Sequence, residues 1–214
     1  MTTSRTEQAP ATITVVVLSR AHFIRRLDEL IRIHLTAMNY SSETFRQRKS
    51  LWRNNANQPD FLAFCAIKHP QAHVPDTGNP DHPIVGICYS FRGSHKTWWY
   101  QQITFGLLAS GMSRQEAQLH LANYAEISEV HVAPAYQKHG IGTALVNALL
   151  SGIQEHTDSA QAMLSTPEVP NEANGAWRLY RKLGFTDLLR NFRFPADPRP
   201  FGILRKQIPE LPVR

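Results

Sequence analysis

Apolar and polar positions change rhythm several times along this chain, and each change marks an element. Ile13-Thr-Val-Val-Val-Leu18 is short and β-branched, the composition of a strand. Ser19 then offers a helix cap, and Ile24, Leu27, Ile31, Leu35 and Met38 recur at helical spacing, predicting one helix to about residue 38. A second helix is expected from Glu43 to about Asn54, with Phe45 and Trp52 on one face and Arg46, Lys49 and Arg53 on another. Phe61–Lys68 and Ile84–Arg92 read as strands, and the prolines between them at 70, 75, 80 and 83 forbid a helix. Residues 94–123 interrupt the strands with Trp98-Trp99-Tyr100, an apolar stretch containing a glycine, and Ser113-Arg-Gln-Glu116, a capping box that should open a short helix to about Asn123. Strand Ile127–Val132, a Gly-rich turn, helix Thr143–Gln154, strand Gln161–Thr166 and helix Glu172–Leu183, stopped by Gly184, come next. Two strands near 185–194 and 201–208 close the pattern, and residues 1–11 read as a polar tail. The order is that of one mixed α/β domain over residues 12–214.

Composition narrows the class. Of 214 residues 42% are hydrophobic and 19% charged, which supplies a core and excludes disorder of the whole. The net charge of +6 suits an anionic partner, whether a phosphorylated cofactor, a nucleic acid or an acidic surface. Cys65 and Cys88 lie in apolar runs and read as buried thiols, with no spacing that fits zinc. His69, His73, His82, Asp76 and Asp81 share the proline-broken spacer, which fixes no ligand geometry, so no metal is expected. The opening residues lack the apolar run of a signal peptide, and no stretch reaches membrane-spanning length, so the expected setting is cytoplasmic with no membrane contact.

The sharpest chemical signal is Glu129-Val-His-Val-Ala-Pro-Ala-Tyr-Gln-Lys-His-Gly-Ile-Gly-Thr-Ala-Leu145. A strand ends at Pro134, and the next turn places Gln137, Gly140 and Gly142 ahead of a helix. The first N–H groups of a helix have no intrahelical acceptor and carry partial positive charge. Glycine at 140 and 142 lets a phosphate oxygen reach the backbone with no Cβ in the way, and Lys138 and His139 add cationic groups. The segment reads as a pyrophosphate cradle. Thr143-Ala144 after Gly142 departs from a Walker A loop, and no GxGxxG is present.

Gln137-x-x-Gly140-x-Gly142, after Val130-x-Val132-x-Pro134, resembles the acetyl-CoA motif of the GNAT (Gcn5-related N-acetyltransferase) superfamily. Ala176-Trp-Arg-Leu-Tyr-Arg-Lys-Leu-Gly-Phe185 is similar to that family's A-x-x-L-Y-x-x-L-G-F stretch, and the resemblance covers roughly residues 12–208. It implies an α/β fold of GNAT acyl-CoA N-acyltransferase type: a mixed twisted sheet with helices on both faces, here with a helical insertion at about 94–123. It implies acetyl-CoA as co-substrate, and transfer of its acetyl group to a primary amine by direct attack in a ternary complex. By the same resemblance the backbone of His131 and Val132 pairs with pantetheine. The turn Gln137, Lys138, His139, Gly140, Ile141 and Gly142, with Thr143, holds the pyrophosphate. Tyr180 protonates the leaving thiolate. Many members carry an asparagine where this chain has Ala173; the adjacent Asn174 either reaches the same cofactor atoms or caps the helix.

An amine acceptor arrives protonated, with a pKa of about 10.4, so a base is needed. Glu126 stands where some relatives place one and is slightly preferred. Glu129 is nearer the thioester but points to the opposite face of a regular strand, unless a bulge between them restores the parity. Trp98, Trp99 and Tyr100 either fill a core or wall the acceptor pocket, or complete it as a dimer contact, so a homodimer is left open. The acceptor itself, small molecule or peptide, is not legible. A non-catalytic acyl-CoA sensor or a nucleic-acid module using the basic surface is the alternative, although no nucleic-acid-binding motif is visible.

Overall fold

The computed structural model describes residues 10–195 and 197–210. Strands β1 (Ala11–Val17), β2 (Leu62–Pro70), β3 (Ile84–Arg92), β4 (Tyr124–Val132), β5 (Gln161–Pro167), β6 (Thr186–Phe192) and β7 (Phe201–Gln207) form one sheet in the order β1-β2-β3-β4-β5-β7-β6. All neighbours are antiparallel except β4 and β5. The expected tail overlaps β1 at its end, because Ala11 already pairs with Pro70. Residues 1–9 of that tail lie outside the described residues.

The helices are α1 (Arg20–Arg25), α2 (Leu27–Met38), α3 (Phe45–Asn55), α4 (Trp98–Ala109), α5 (Arg114–His120), α6 (Ile141–His156) and α7 (Gly175–Lys182). What reads as one helix after Ser19 is two, because Arg26 leaves helical geometry (φ −98°, ψ 13°). Its guanidinium donates to the carbonyls of Thr77, Asn79 and His82 and pairs with Glu29, tying down the proline-rich loop. The apolar spacing runs through the break unchanged, so periodicity alone does not reveal it. The capping box at Ser113 and Glu116 forms, but α5 ends at His120, and β4 begins three residues before the expected Ile127. The helix expected from Glu172 begins at Gly175, since Asn171 and Glu172 both sit at φ 53° in a tight turn and Asn174 becomes the cap.

Alternation along the strands assigns the two faces. Val85, Leu164 and Leu204 meet Leu145, Leu149 and Trp177 of α6 and α7 on one side. On the other, α1–α3 cover the β1–β4 half through Phe23, Leu30, Trp52 and Tyr89. Helices α4 and α5 cover the β5–β7 half through Trp99, Ile103, Met163 and Ile203. Gly106 lets α4 lie close on β6, where a Cβ would come within 2.6 Å of the Phe192 ring. The 94–123 insertion is therefore the second helical layer of that face, and a gap remains between the two layers above β4 and β5.

Candidate active site

Strand β4 pairs with β5 only from Tyr124 to Glu126, opposite Gln161 to Met163. Beyond Glu126 the two strands part, and among the described residues the backbone of Ile127–Val132 has no strand partner on that side. A cavity of about 1010 Å³ fills the opening; Glu126, Glu129 and His131 of β4 line it with Trp98 and Trp99 of α4 and Tyr180 of α7.

A bulge decides which side chains reach this cavity. Tyr89 pairs with Glu129, but its neighbour Ser90 pairs with Ile127, so Ser128 is the extra residue. Cross-strand partners share a face, and Tyr89 and Phe91 lie on the same one, so Glu129 and Glu126 do too. Ser128 Oγ is directed to the Tyr89 hydroxyl, 3.4 Å away.

The two glutamates have opposite environments. Glu126 is buried with Oε2 unpartnered, and burial pushes its carboxyl up to about 8. Glu129 is partly buried, which alone would raise it, but hydrogen bonds and charge from His131 and His34 hold it well below the usual carboxylate range. Its Oε2 lies 2.5 Å from His131 Nε2 and 3.4 Å from His34 Nδ1, and its Oε1 accepts from Trp52 Nε1–H at 3.1 Å. His34 Nδ1 is 2.8 Å from His131 Nε2, while His34 Nε2 has no hydrogen-bond partner among the described residues.

His34 and Trp52 contact the Glu129–His131 pair, and the sequence reading assigns neither to the site. Each sits on a helix face among core positions. The signal was a polar ring at position 34 on the apolar side of the helix that holds Leu27, Ile31 and Leu35.

Tyr180 is buried at the cavity wall with its ring edge against Phe185 (5.6 Å), and burial raises its phenol well above the ordinary value. No hydrogen bond engages its hydroxyl among the described residues. Asn174 also lines the cavity, but its side-chain oxygen caps α7 by accepting from Trp177 N–H at 2.9 Å.

The turn before α6 is built for an anion. Lys138 (φ 65°) and Gly140 (φ 79°) are both left-handed, and Ala144 N–H, bonded to Gly140 O at 3.0 Å, begins the helical ladder. The N–H groups of Ile141, Gly142 and Thr143 precede that ladder and are free to meet a ligand. A Cβ at Gly140 would touch nothing, so conformation and ligand access require that glycine. At Gly142 a Cβ would come within 3.2 Å of Leu179 Cδ1, so packing on α7 adds to the requirement. Gln137 donates from Nε2 to Val132 O at 3.0 Å and fixes the end of β4 against the turn. Lys138 is exposed beside it, and His139 lines a separate recess of about 530 Å³ with Ile13, Val15 and Tyr136. These features fit the pyrophosphate and pantetheine of an acyl-CoA.

The remaining sequence candidates separate from the site. Cys65 and Cys88 are buried on opposite faces of the sheet; burial pushes the Cys65 thiol up to about 12 and Cys88 higher still. Neither suits a nucleophile. The basic stripe divides, with Lys49 paired to Asp28 at 2.5 Å while Arg46 and Arg53 are exposed. In the spacer, His69 Nε2 pairs with Thr14 Oγ1 at 2.8 Å and His82 Nδ1 accepts from Asp76 N–H at 3.2 Å. The aromatic cluster splits by role: Trp99 is 8% exposed within the core, and Trp98, 55% exposed, stacks on Phe194 at the cavity. No helix among the described residues is long and apolar enough to cross a membrane.

Comparison with known proteins agrees with this geometry. The model of the Acetyltransferase (GNAT) family matches residues 41–185. A GCN5-like protein acetyltransferase of Mycobacterium tuberculosis is 35% identical over 195 residues, covering 86% of this chain and 93% of that protein. Among solved structures, NAA60 of Arabidopsis thaliana in complex with acetyl-CoA is similar at 19% identity and a TM-score of 0.55, covering 92% of this chain and 99% of that one. PaiA N-acetyltransferase of Thermoplasma acidophilum in complex with coenzyme A is similar at 17% identity and a TM-score of 0.54, with the same coverage. The parted strands, the anion turn and the matched sequence thus agree: this chain belongs to the GNAT family of acetyltransferases, in the EC 2.3.1 class.

Proposed function

We propose that this acetyltransferase moves the acetyl group of acetyl-CoA to a primary amine by direct attack in a ternary complex. The observation that carries this is the parting of β4 from β5 after Glu126, which opens one cavity onto both glutamates and Tyr180, with the anion turn following the free end of the same strand. Acetyl-CoA supplies the acetyl group as a thioester when bound. The N–H groups of Gly140 to Thr143 with Lys138 would hold its pyrophosphate. The open edge of Ile127–Val132 would hold its pantetheine, with Asn174 beside it.

Glu129 takes the amine's proton, directly or through water, as the candidate that is ionised at neutral pH. What supports it over Glu126 is charge state: Glu129 is kept ionised, whereas Glu126, with its carboxyl at about 8, is mostly protonated at pH 7. His131 and His34 hold the Glu129 carboxylate in place. Tyr180 keeps its proton at neutral pH and gives it to the departing thiolate. The acceptor is a lysine-like amine carried by a peptide or protein. The description of the mycobacterial relative as a protein acetyltransferase supports that class, as does a cavity walled by an exposed Trp98.

The test is CoA release across lysine peptides, polyamines and small amines, with both substrates varied. Intersecting double-reciprocal lines are expected, with lysine peptides the best acceptors. Parallel lines would indicate an acyl-enzyme and overturn direct attack. CoA binding with no turnover on any amine would leave only a binding module.

A further inference from the structure

Three ligand-type atoms from two elements converge at the base of the acceptor cavity: His34 Nδ1 of α2, and Glu129 Oε2 and His131 Nε2 of β4. Their separations are 2.8 Å between the histidines, 2.5 Å from His131 to Glu129 and 3.4 Å from His34 to Glu129. Protons alone account poorly for this triangle. An imidazole nitrogen has one in-plane position, holding either a lone pair or a hydrogen. His131 Nε2 is approached at hydrogen-bond distance from two sides, so only one of the two contacts is a well-aimed hydrogen bond.

We infer that these three atoms form a binding site for a divalent transition-metal ion of the zinc class. A cation among them meets all three lone pairs at once. Zinc bonds to imidazole and carboxylate at about 2.0–2.2 Å, and tetrahedral ligands at that distance lie about 3.4 Å apart. The His34–Glu129 separation already has that spacing, and the two shorter ones open by about 0.6–0.9 Å as an ion enters. A point about 2.05 Å from all three atoms exists, about 1.1 Å outside their plane.

Ligand chemistry selects the ion. Two imidazoles with one carboxylate suit zinc and its neighbours, whereas calcium and magnesium prefer oxygen alone. The side chains are also held in place. His34 is 2% and His131 8% exposed, and Trp52 stacks on the His131 ring at 6.2 Å while donating to the far oxygen of Glu129. Hydrogen bonds of that kind orient ligating carboxylates. The cavity beside the triangle leaves further coordination positions for water.

An ion bound here occupies the carboxylate that would receive the amine's proton, so metal and turnover compete. That consequence rests on the acetyl-transfer reading above; the binding site does not. The test is direct metal binding to chelator-stripped protein, read by equilibrium dialysis against Zn²⁺ with metal analysis and no substrate present. One equivalent is expected at micromolar free Zn²⁺, and Co²⁺ should give a visible absorption band. His34→Gln and Glu129→Gln should each weaken binding at least about 10-fold. His73→Ala in the proline-rich loop should not. Melting curves without metal check that each variant is folded. Wild-type protein binding below about a tenth of an equivalent, or both variants binding as wild type does, overturns the site. In the CoA-release assay Zn²⁺ should inhibit and a chelator restore activity. One equivalent bound with turnover undiminished overturns the competition and Glu129 as base, and leaves the metal site standing.

Discussion

Glu126→Gln isolates the clearest electrostatic feature of the fold. The carboxyl is buried beside the cavity with Oε2 unpartnered, and desolvation pushes it from 4.5 to about 8. The native state therefore holds this proton more tightly than the unfolded chain does. Its contribution to stability is fully present below about pH 4.5, falls as pH rises, and is gone above about pH 8. Between those limits the slope is about 1.4 kcal/mol per pH unit, so the loss is about 3 kcal/mol at pH 7 and approaches about 5 kcal/mol at pH 9. These are upper figures, because the cavity admits water. Glutamine has the same shape and cannot ionise. Urea unfolding of both proteins from pH 5 to 9 should show the variant gaining on wild type by several kcal/mol across the range, most of it below pH 8. Turnover at pH 7 should be retained if Glu129 is the base. Parallel stability profiles would show that Glu126 ionises normally and that burial is not felt as argued.

Four further outcomes follow from the site. Tyr180→Phe should lower kcat by roughly 10²-fold with CoA affinity unchanged, in a regime where chemistry is rate-limiting. CoA should raise the melting temperature, and Gly140→Ala, placing a side chain at φ 79°, should cost about 1–2 kcal/mol and largely remove that shift. Trp99→Ala should cost about 3–5 kcal/mol in chemical denaturation, because the ring is buried against Tyr124 and Met163. Trp98→Ala should cost far less stability and raise the acceptor KM without affecting CoA binding.

Most of the sheet and the order of its helices were legible because strand and helix periods alternate cleanly from Ile13 to Gln207. The anion turn was legible because local rules set it: a strand end, left-handed glycine and a helix start within a few residues. Helix α4 was not named as a helix, since Trp98-Trp-Tyr-Gln-Gln-Ile-Thr-Phe-Gly-Leu-Leu-Ala109 is apolar on nearly every side and offers no single stripe. The break at Arg26 escaped because its cause lies in carbonyls more than fifty residues away. His34 escaped for the same reason: its partner His131 is 97 residues distant, and only the closing of α2 over β4 brings them together.

The sheet defect at Ser128 links these levels. In a regular strand Glu126 and Glu129 would lie on opposite faces, and one would be forced among the apolar side chains beneath α6. The extra residue turns both toward the cavity. Once there, their partners set their charges. Glu129 meets two histidines and the Trp52 N–H and stays ionised; Glu126 meets no partner at Oε2 and keeps its proton. Two carboxyls on one face with separated proton affinities can divide the work of a site, one accepting a proton and the other remaining neutral beside an incoming amine.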